Sequence, residues 1–239
     1  MPFQKNVILD QLVRIDPGLS QRRLRPISFH RGDVLGHAGD HIDEVYFPSS
    51  GMISLVVELD SGDRVEAGVA GYQGVIGASV AFGDAIHLQT GVVQLPGAGL
   101  AMAADELRQL AEGSSHTRAL LHAQQQFILA QAQQSAACNA KHHIPARLAT
   151  WMLRARDATG TTRFALTQEF VAEMLGVQRP SVSIVASQLQ GAGLISYSRG
   201  HVQILDETGL EQSACECYRT IQRHQHNLLP AAPAVTERA

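Results

Sequence analysis

The chain has few cysteines, no long apolar run and almost no net charge, and each scarcity removes a class of protein. Three cysteines in 239 residues, Cys138, Cys215 and Cys217, are too few and too widely spaced for a disulfide framework. The amino terminus lacks the basic stretch and apolar run of a secretory leader, so a reducing cytoplasm is the expected compartment. The longest uncharged windows, 85–104 and 119–140, are broken by glutamine, proline or glycine, and neither offers the ~20 continuous apolar residues of a membrane span. A formal charge of −3 does not advertise a polyanionic partner. Serine, cysteine and carboxylate spacings form no recognisable catalytic set, so an enzyme is not expected.

The charge is unevenly distributed. Residues 1–112 carry 8 Lys/Arg against 14 Asp/Glu, residues 141–239 carry 10 against 8, and only Arg118 is charged in between. With 45% hydrophobic residues the chain can bury two modest cores. From Ile27 to about Met102, short β-branched runs alternate with Gly, Asp and Pro turn signals, which predicts a barrel or jelly roll. Met52–Val57 and Val65–Val69, either side of Ser61-Gly62-Asp63, read as a hairpin. Helical periodicity then runs from about Ala104 to Cys138. Leu120, Ala123, Phe127, Ala130, Gln134 and Ala137 recur at alternating steps of three and four, a heptad stripe suited to pairing with a second copy; packing on the chain's own β domain is the other reading. Leu121 and Ile128 form a second apolar line. The last 20 or so residues read as an unstructured tail.

Position-specific geometry is strongest in Leu166–Val185. Thr167 is placed to cap a helix, Ala172 is small where two helices would cross, Gly176 supplies a left-handed turn, and Pro180 falls in the first turn of a second helix. Leu194–Leu205 follows as two alternating strands around an Arg199-Gly200 tip, a wing. No acid occurs between Glu173 and Asp206, so recognition helix and wing are expected to meet a polyanion without repulsion. Gln178, Arg179, Ser181 and Ser183 are assigned to base edges or phosphates, and Thr167, Gln168, Arg199 and His201 to phosphates that set register.

A β-rich front, a long helix and a winged helix-turn-helix, in this order, resemble the Crp/Fnr family of bacterial transcription regulators over nearly the whole length. Arg31-Gly-Asp-Val-Leu, Ala38-Gly-Asp, Val45-Tyr-Phe-Pro-Ser-Ser-Gly51 and Leu166–Val177 carry the resemblance. It implies an α+β chain: a cyclic-nucleotide-binding-like sensor at 1–112, a dimerisation helix at 113–140, a winged helix-turn-helix at 141–211 and a C-terminal extension at 212–239. It also implies a homodimer on near-palindromic double-stranded DNA, with RNA polymerase as a further partner. Cyclic-nucleotide-binding members carry a Gly-Glu pair and a downstream Arg; Gly71–Asp84 contains neither, and no Lys or Arg occurs from Val65 to Leu107. An effector pocket at Gly71, Gln73, Gly74 and Gly77 would lack a cation for a phosphate, which argues against cyclic AMP. The amino-terminal cysteines of the family's iron–sulfur members are also missing, and Pro180 and Ile184 stand where better-known members place Glu and Arg.

Weaker signals remain. His37, His41 and Glu44 faintly resemble a cupin metal motif, so a cupin-like metal protein or enzyme with an appended helical module is the alternative. Cys215-Glu216-Cys217 suggests a redox pair or half a metal site, but with no second cysteine pair and no histidine beside it in sequence it reads as two inert or partly buried thiols; the eleven histidines, His142-His143 among them, hint at haem or pH sensing but read mostly as solvent-facing. No metal or cofactor is expected.

Overall fold

The computed structural model describes residues 6–17, 19, 24–83 and 85–229. Helix α1 (Val7–Ile15) opens it, an element absent from the strand-rich reading of this end; Asn6 caps it by accepting the Leu9 N–H at 2.9 Å, and Ile8, Leu9 and Leu12 bury its apolar side. Seven strands follow, β1 (Arg25–Phe29), β2 (Val34–Gly36), β3 (Glu44–Pro48), β4 (Met52–Glu58), β5 (Arg64–Ala70), β6 (Thr90–Leu95) and β7 (Gly97–Ala103). They form two antiparallel sheets of order β1-β7-β3 and β2-β6-β4-β5, and Tyr46 of β3 makes an isolated bridge with Ile76 in the segment after β5. The expected hairpin is β4–β5, with Val57 opposite Val65 and Gly62 at φ 86 in its turn. Phe29, Ile53, Leu55, Ile76 and Val93 cluster as one buried core of this roll.

Strand β4 does not alternate. Met52 to Val56 are all buried, because Ile53 and Leu55 join the roll core while Met52 and Val56 pack on the C-terminal half. A strand apolar on both faces is a strand covered on both faces. What covers it comes after α2 (Ala104–Gly113) and the long α3 (Ser115–Lys141). Helix α4 (Ile144–Thr159) brings Trp151, and β8 (Arg163–Ala165), α5 (Gln168–Leu175), α6 (Arg179–Gly191), β9 (Ile195–Ser198) and β10 (His201–Ile204) build the reader, whose sheet has the order β8-β10-β9. Strand β8 adds a third member to the two-stranded wing read from sequence.

Helices α7 (Glu207–Ser213) and α8 (Cys217–Leu228) end the described chain. Helix α8 corrects the expectation of an unstructured tail from about 220 as far as Leu228: Tyr218 and Ile221 are buried, and the helix packs along α3. Its many His, Gln and Arg residues hide a narrow apolar stripe from any reading by composition. The Pro/Ala-rich segment from 230 lies outside the described residues.

One polar group ties the halves together. Glu66 on β5 is buried on the outer face of the four-stranded sheet, where Ser54 Oγ and Trp151 Nε1 (3.2 Å) donate to Oε2 and Arg154 Nη1 lies 3.4 Å from Oε1. Burial raises its pKa above the usual carboxylate range; the Arg154 charge and the hydrogen bonds from Ser54 and Trp151 pull the other way without cancelling it. The folded state therefore holds this proton more tightly than the unfolded one. Glu66 contributes stability that is complete below its unfolded-state value and is lost as pH rises through its folded-state value. Urea denaturation of wild type and Glu66→Gln should show the wild type losing stability relative to the variant as pH rises from the acid range towards neutrality. A difference that stays constant with pH would refute this.

Candidate DNA-binding surface

Thr167 caps α5 by accepting the Phe170 N–H at 3.4 Å, and Gly176, at φ 60, ends the helix and turns the chain into α6. Ala172 lies buried at the crossing of the two helices, with Val171, Leu175, Val182, Val185 and Leu189 as the shared core. Arg179 and Pro180 fall in the first turn of α6, as the sequence pattern predicts. At the wing tip Arg199 has φ 49 and Gly200 φ 75, so both central residues of the β9–β10 turn are left-handed. This pattern matches the twist of a two-residue hairpin, but a non-glycine residue there costs about 1–2 kcal/mol.

Thr167, Gln168, Arg179 and Arg199 line one open groove together with Glu169, Tyr197, Ser198 and Gly200. Gln178 and His201 are exposed at its margins, while Ser181 and Ser183 are half-buried. Ser183 Oγ donates to Gln168 Oε1, so these two side chains hold each other. The structure adds one residue, Arg31, that sequence spacing does not associate with the reader. Arg31, from the loop after β1, donates through Nη2 to Thr167 Oγ1 at 3.0 Å and lies 5.4 Å from the Phe170 ring centre. Ile184 is 61% exposed on α6, an apolar side chain of the kind that meets thymine methyls. Tyr197 donates its hydroxyl to Leu166 O at 2.8 Å; burial pushes its pKa up against the pull of Arg31 and Arg179.

The acid-free reading face needs correcting. The amino termini of α5 and α6 lie side by side, which puts Glu169 3.7 Å from Arg179 Nε although the residues are ten apart in sequence. Both are well exposed, so this pair is weak and readily exchanged for a phosphate.

Of the expected effector residues, Gly71, Gln73 and Gly74 border a crevice between the roll, α3, α4 and α8, whereas Gly77 packs against Ile42 and Val45 and does not reach it. The crevice holds only about 50 Å3. A Cβ at Gly71 would stand 2.7 Å from Ala158 O, so α4 closes directly on the glycine-rich loop. The cation absent from Val65 to Leu107 arrives from α4: Arg154 Nη2 donates to Gln131 Oε1 at 2.6 Å inside this crevice.

On α3, the stripe expected to meet a second copy is partly occupied within the chain. Phe127 is buried beside Ile221 of α8, Gln134 Nε2 donates to Cys217 Sγ at 3.0 Å, and Leu120 and Ala123 lean on the same core. Ala130 is half-exposed and Ala137 exposed. Leu121 and Ile128 pack inward. The cupin-like triad does not assemble: His37 lies on a turn, His41 Nδ1 faces Asp43 at 3.3 Å, and Glu44 pairs with Arg25 at 2.7 Å. Cys215 and Cys217, in contrast, have a histidine neighbour that their sequence surroundings do not show, with His142 Nδ1 3.4 Å from Cys217 Sγ.

A β-roll followed by a long helix and a winged helix-turn-helix with guanidinium groups around its exposed helix amino terminus defines a DNA-binding transcription regulator with a built-in sensor-type domain. Residues 26–114 match the family described as cyclic nucleotide-binding domain, and residues 146–213 match the Crp-like helix-turn-helix domain. No curated protein matches. Among solved structures, the chain is similar to FixK2 from Bradyrhizobium japonicum, at TM-score 0.68 and 16% identity over 80% of this chain and 98% of that one. It is similar to a Crp/Fnr-family protein from Eubacterium rectale at 0.63 and 16%, covering 92% and 98%. It is also similar to the c-di-GMP responsive global regulator CLP from Xanthomonas campestris at 0.60 and 16%, covering 77% and 94%. The chain belongs to the Crp/Fnr family of transcription regulators.

The wing tip separates stability from function. Arg199→Asn relieves the left-handed arginine and should leave thermal stability equal or higher, while DNA affinity falls. The slope of log affinity against log salt should shrink by about 0.9 for each phosphate that Arg199 neutralises. Unchanged affinity and slope would remove Arg199 from the interface.

Proposed function

We propose that this regulator binds near-palindromic double-stranded DNA as a homodimer, each α6 entering a major groove amino terminus first. The observation that carries the reading is the convergence of Arg179, Arg199 and, through Thr167, Arg31 on one exposed face. Arg179, in the first turn of α6, is the base reader, donating two parallel hydrogen bonds to guanine O6 and N7. Thr167, Gln168, Arg199 and His201 hold phosphates; Gln178, Ser181 and Ser183 flank the reader. Pairing runs along α3, where no charge occurs between Arg118 and Lys141, where Leu129 is 49% exposed, and where the small residues Ala130 and Ala137 are half-exposed and exposed. A long surface helix without charges over 22 residues is suited to a helical partner. The compartment is the reducing cytoplasm, and RNA polymerase is the partner that family membership suggests.

The sensor ligand is not cyclic AMP acting through the usual phosphate clamp. A crevice of about 50 Å3 is far below the ~300–1,000 Å3 of nucleotide-sized pockets. Any ligand entering beside Gly71 and Gly74 displaces Arg154 and Tyr218, which belong to α4 and α8, so ligand entry and movement of the reader are a single event with two populations. The same holds for a larger ligand such as the c-di-GMP named for the Xanthomonas neighbour.

Selection of bound sequences from random duplexes tests the reader. Arg179→Ala should relax preference at one position of each half-site, by about 1–3 kcal/mol, and an unchanged consensus would overturn the assignment. Sedimentation tests the pairing: Leu129→Glu should give monomers with an unaltered circular dichroism spectrum and much weaker DNA binding, whereas a persistent dimer would move the interface off α3.

A further inference from the structure

Four side chains from two distant parts of the chain meet at the end of α3. Cys138 lies in its last turn, His142 is its C-cap, Cys215 precedes α8 and Cys217 begins it. Their donor atoms all lie within 4.8 Å of one another; Cys138 Sγ is 3.6 Å from Cys215 Sγ, and His142 Nδ1 is 3.4 Å from Cys217 Sγ. Among the described residues this is the one group of its kind. We propose that Cys138, His142, Cys215 and Cys217 form a tetrahedral zinc site that fastens the C-terminal extension to the hinge between sensor and reader.

Zinc–sulfur bonds of about 2.3 Å and zinc–nitrogen bonds of about 2.0–2.1 Å, set at tetrahedral angles, place donor atoms about 3.5–3.8 Å apart. The observed separations already fall close to that shell. Clusters of several irons spread their donors over separate metal ions, so a shell this compact favours one ion, and three thiolates favour a thiophilic one. Cys138 and His142 stand four apart on one helix end, hence on one face, and the extended backbone at His142 lets the ring fold back.

The surroundings fit a ligand set rather than idle thiols. With Nδ1 towards the sulfurs, His142 points Nε2 at Glu216 Oε1, 3.2 Å away, the carboxylate–histidine arrangement that orients a metal-binding imidazole. Thr150 Oγ1 lies 3.1 Å from Cys215 Sγ, and Gln134 Nε2 donates to Cys217 Sγ. Arg147, 8% exposed with its Nε unpartnered among described atoms, lines the same cavity as Cys138 and Cys217. Three thiolates and one Zn2+ carry a net charge of −1, which the Arg147 guanidinium offsets. Starting from neutral thiols and imidazole, binding Zn2+ releases three protons and changes no oxidation state.

The site holds α8 where it covers Phe127 and places Tyr218 and Ile221 in the crevice beside Gly71 and Gly74. Metal loss therefore frees both the stripe on α3 and the closed crevice. This inference does not depend on DNA binding or on dimerisation.

The full chain, purified anaerobically without chelator, should contain one zinc per chain by elemental analysis. Cobalt substituted for zinc should give the intense visible bands of tetrahedral cobalt with thiolate-to-metal charge transfer. Cys138→Ser and Cys217→Ser should each retain less than a tenth of the zinc, His142→Cys should retain it, and Glu216→Ala should weaken affinity by about 10–100-fold. Stripping wild type with a strong chelator should open α8 to trypsin at Arg219 and Arg223, and zinc should restore protection. The wild-type measurements stand even if a cysteine variant fails to fold. Three titratable thiols with no metal uptake, a Cys138–Cys215 disulfide in place of metal, iron with sulfide in place of zinc, or zinc undiminished in both cysteine variants would each overturn the proposal.

Discussion

Glu66 sits on the outer face of the four-stranded sheet, where an isolated roll would show water, and the C-terminal half is organised around keeping that carboxyl dry and bonded. Its partners come from both sides: Ser54 from the neighbouring strand, Trp151 and Arg154 from α4. Removing one member of such a buried set typically costs about 3–5 kcal/mol, because the other is left desolvated and unpaired. Exposed pairs such as Arg179–Glu169 carry no comparable weight. Around this polar contact lies an apolar seam, with Met52 and Leu95 against the α4 core and Val56 and Val92 against Met174. Sensor and reader are packed surfaces of each other.

That packing gives the sensor a direct route to the DNA-reading face. Helix α5 carries Thr167 at one end and Met174 near the other; the first is bonded to Arg31 of the roll and the second is touched by Gln94 of β6. Val65 of β5 lies close enough to Gly176 that a Cβ there would stand 3.2 Å from it. Close-packed interfaces shift as units and do not deform continuously. A rearrangement of β4, β5 or β6 therefore moves α5, and α6 is fastened to α5 through Val171, Ala172 and Leu175. On the opposite side of the seam, α8 lines the crevice that a small molecule would have to enter. The two devices meet at α4, whose Arg154 faces the crevice and whose Thr150 faces the thiol cluster.

Much of the reader was legible because its constraints are local. A capping hydroxyl, a small crossing residue, a left-handed glycine and a first-turn proline each answer to backbone geometry within a few residues. The β4–β5 hairpin was legible for the same reason. Less was legible where the deciding neighbour is far away in sequence. The unbroken apolar run of β4 signalled two buried faces, yet nothing in it names α4 and α5 as the cover. Helix α8 was hidden by its polar composition, and α1 by its brevity. Glu169 escaped the account of the reading face because it precedes the acid-free stretch and returns beside Arg179 only when two helices cross.

Periodicity, capping and turn chemistry act over short range and point the same way, so the order of amino acids alone yields the class of protein and the arrangement of its parts. It also shows what is missing, any Lys or Arg from Val65 to Leu107. Only the tertiary structure decided that Arg154 supplies a cation from another domain, that the crevice is closed, and that Phe127 and Gln134 of the long helix face α8. It alone brought Cys138, His142, Cys215 and Cys217 together. The reason is physical: a ligand set or a buried ion pair is defined by distances of a few ångströms in space, and a separation of 77 residues along the chain carries no trace of a 3.6 Å approach.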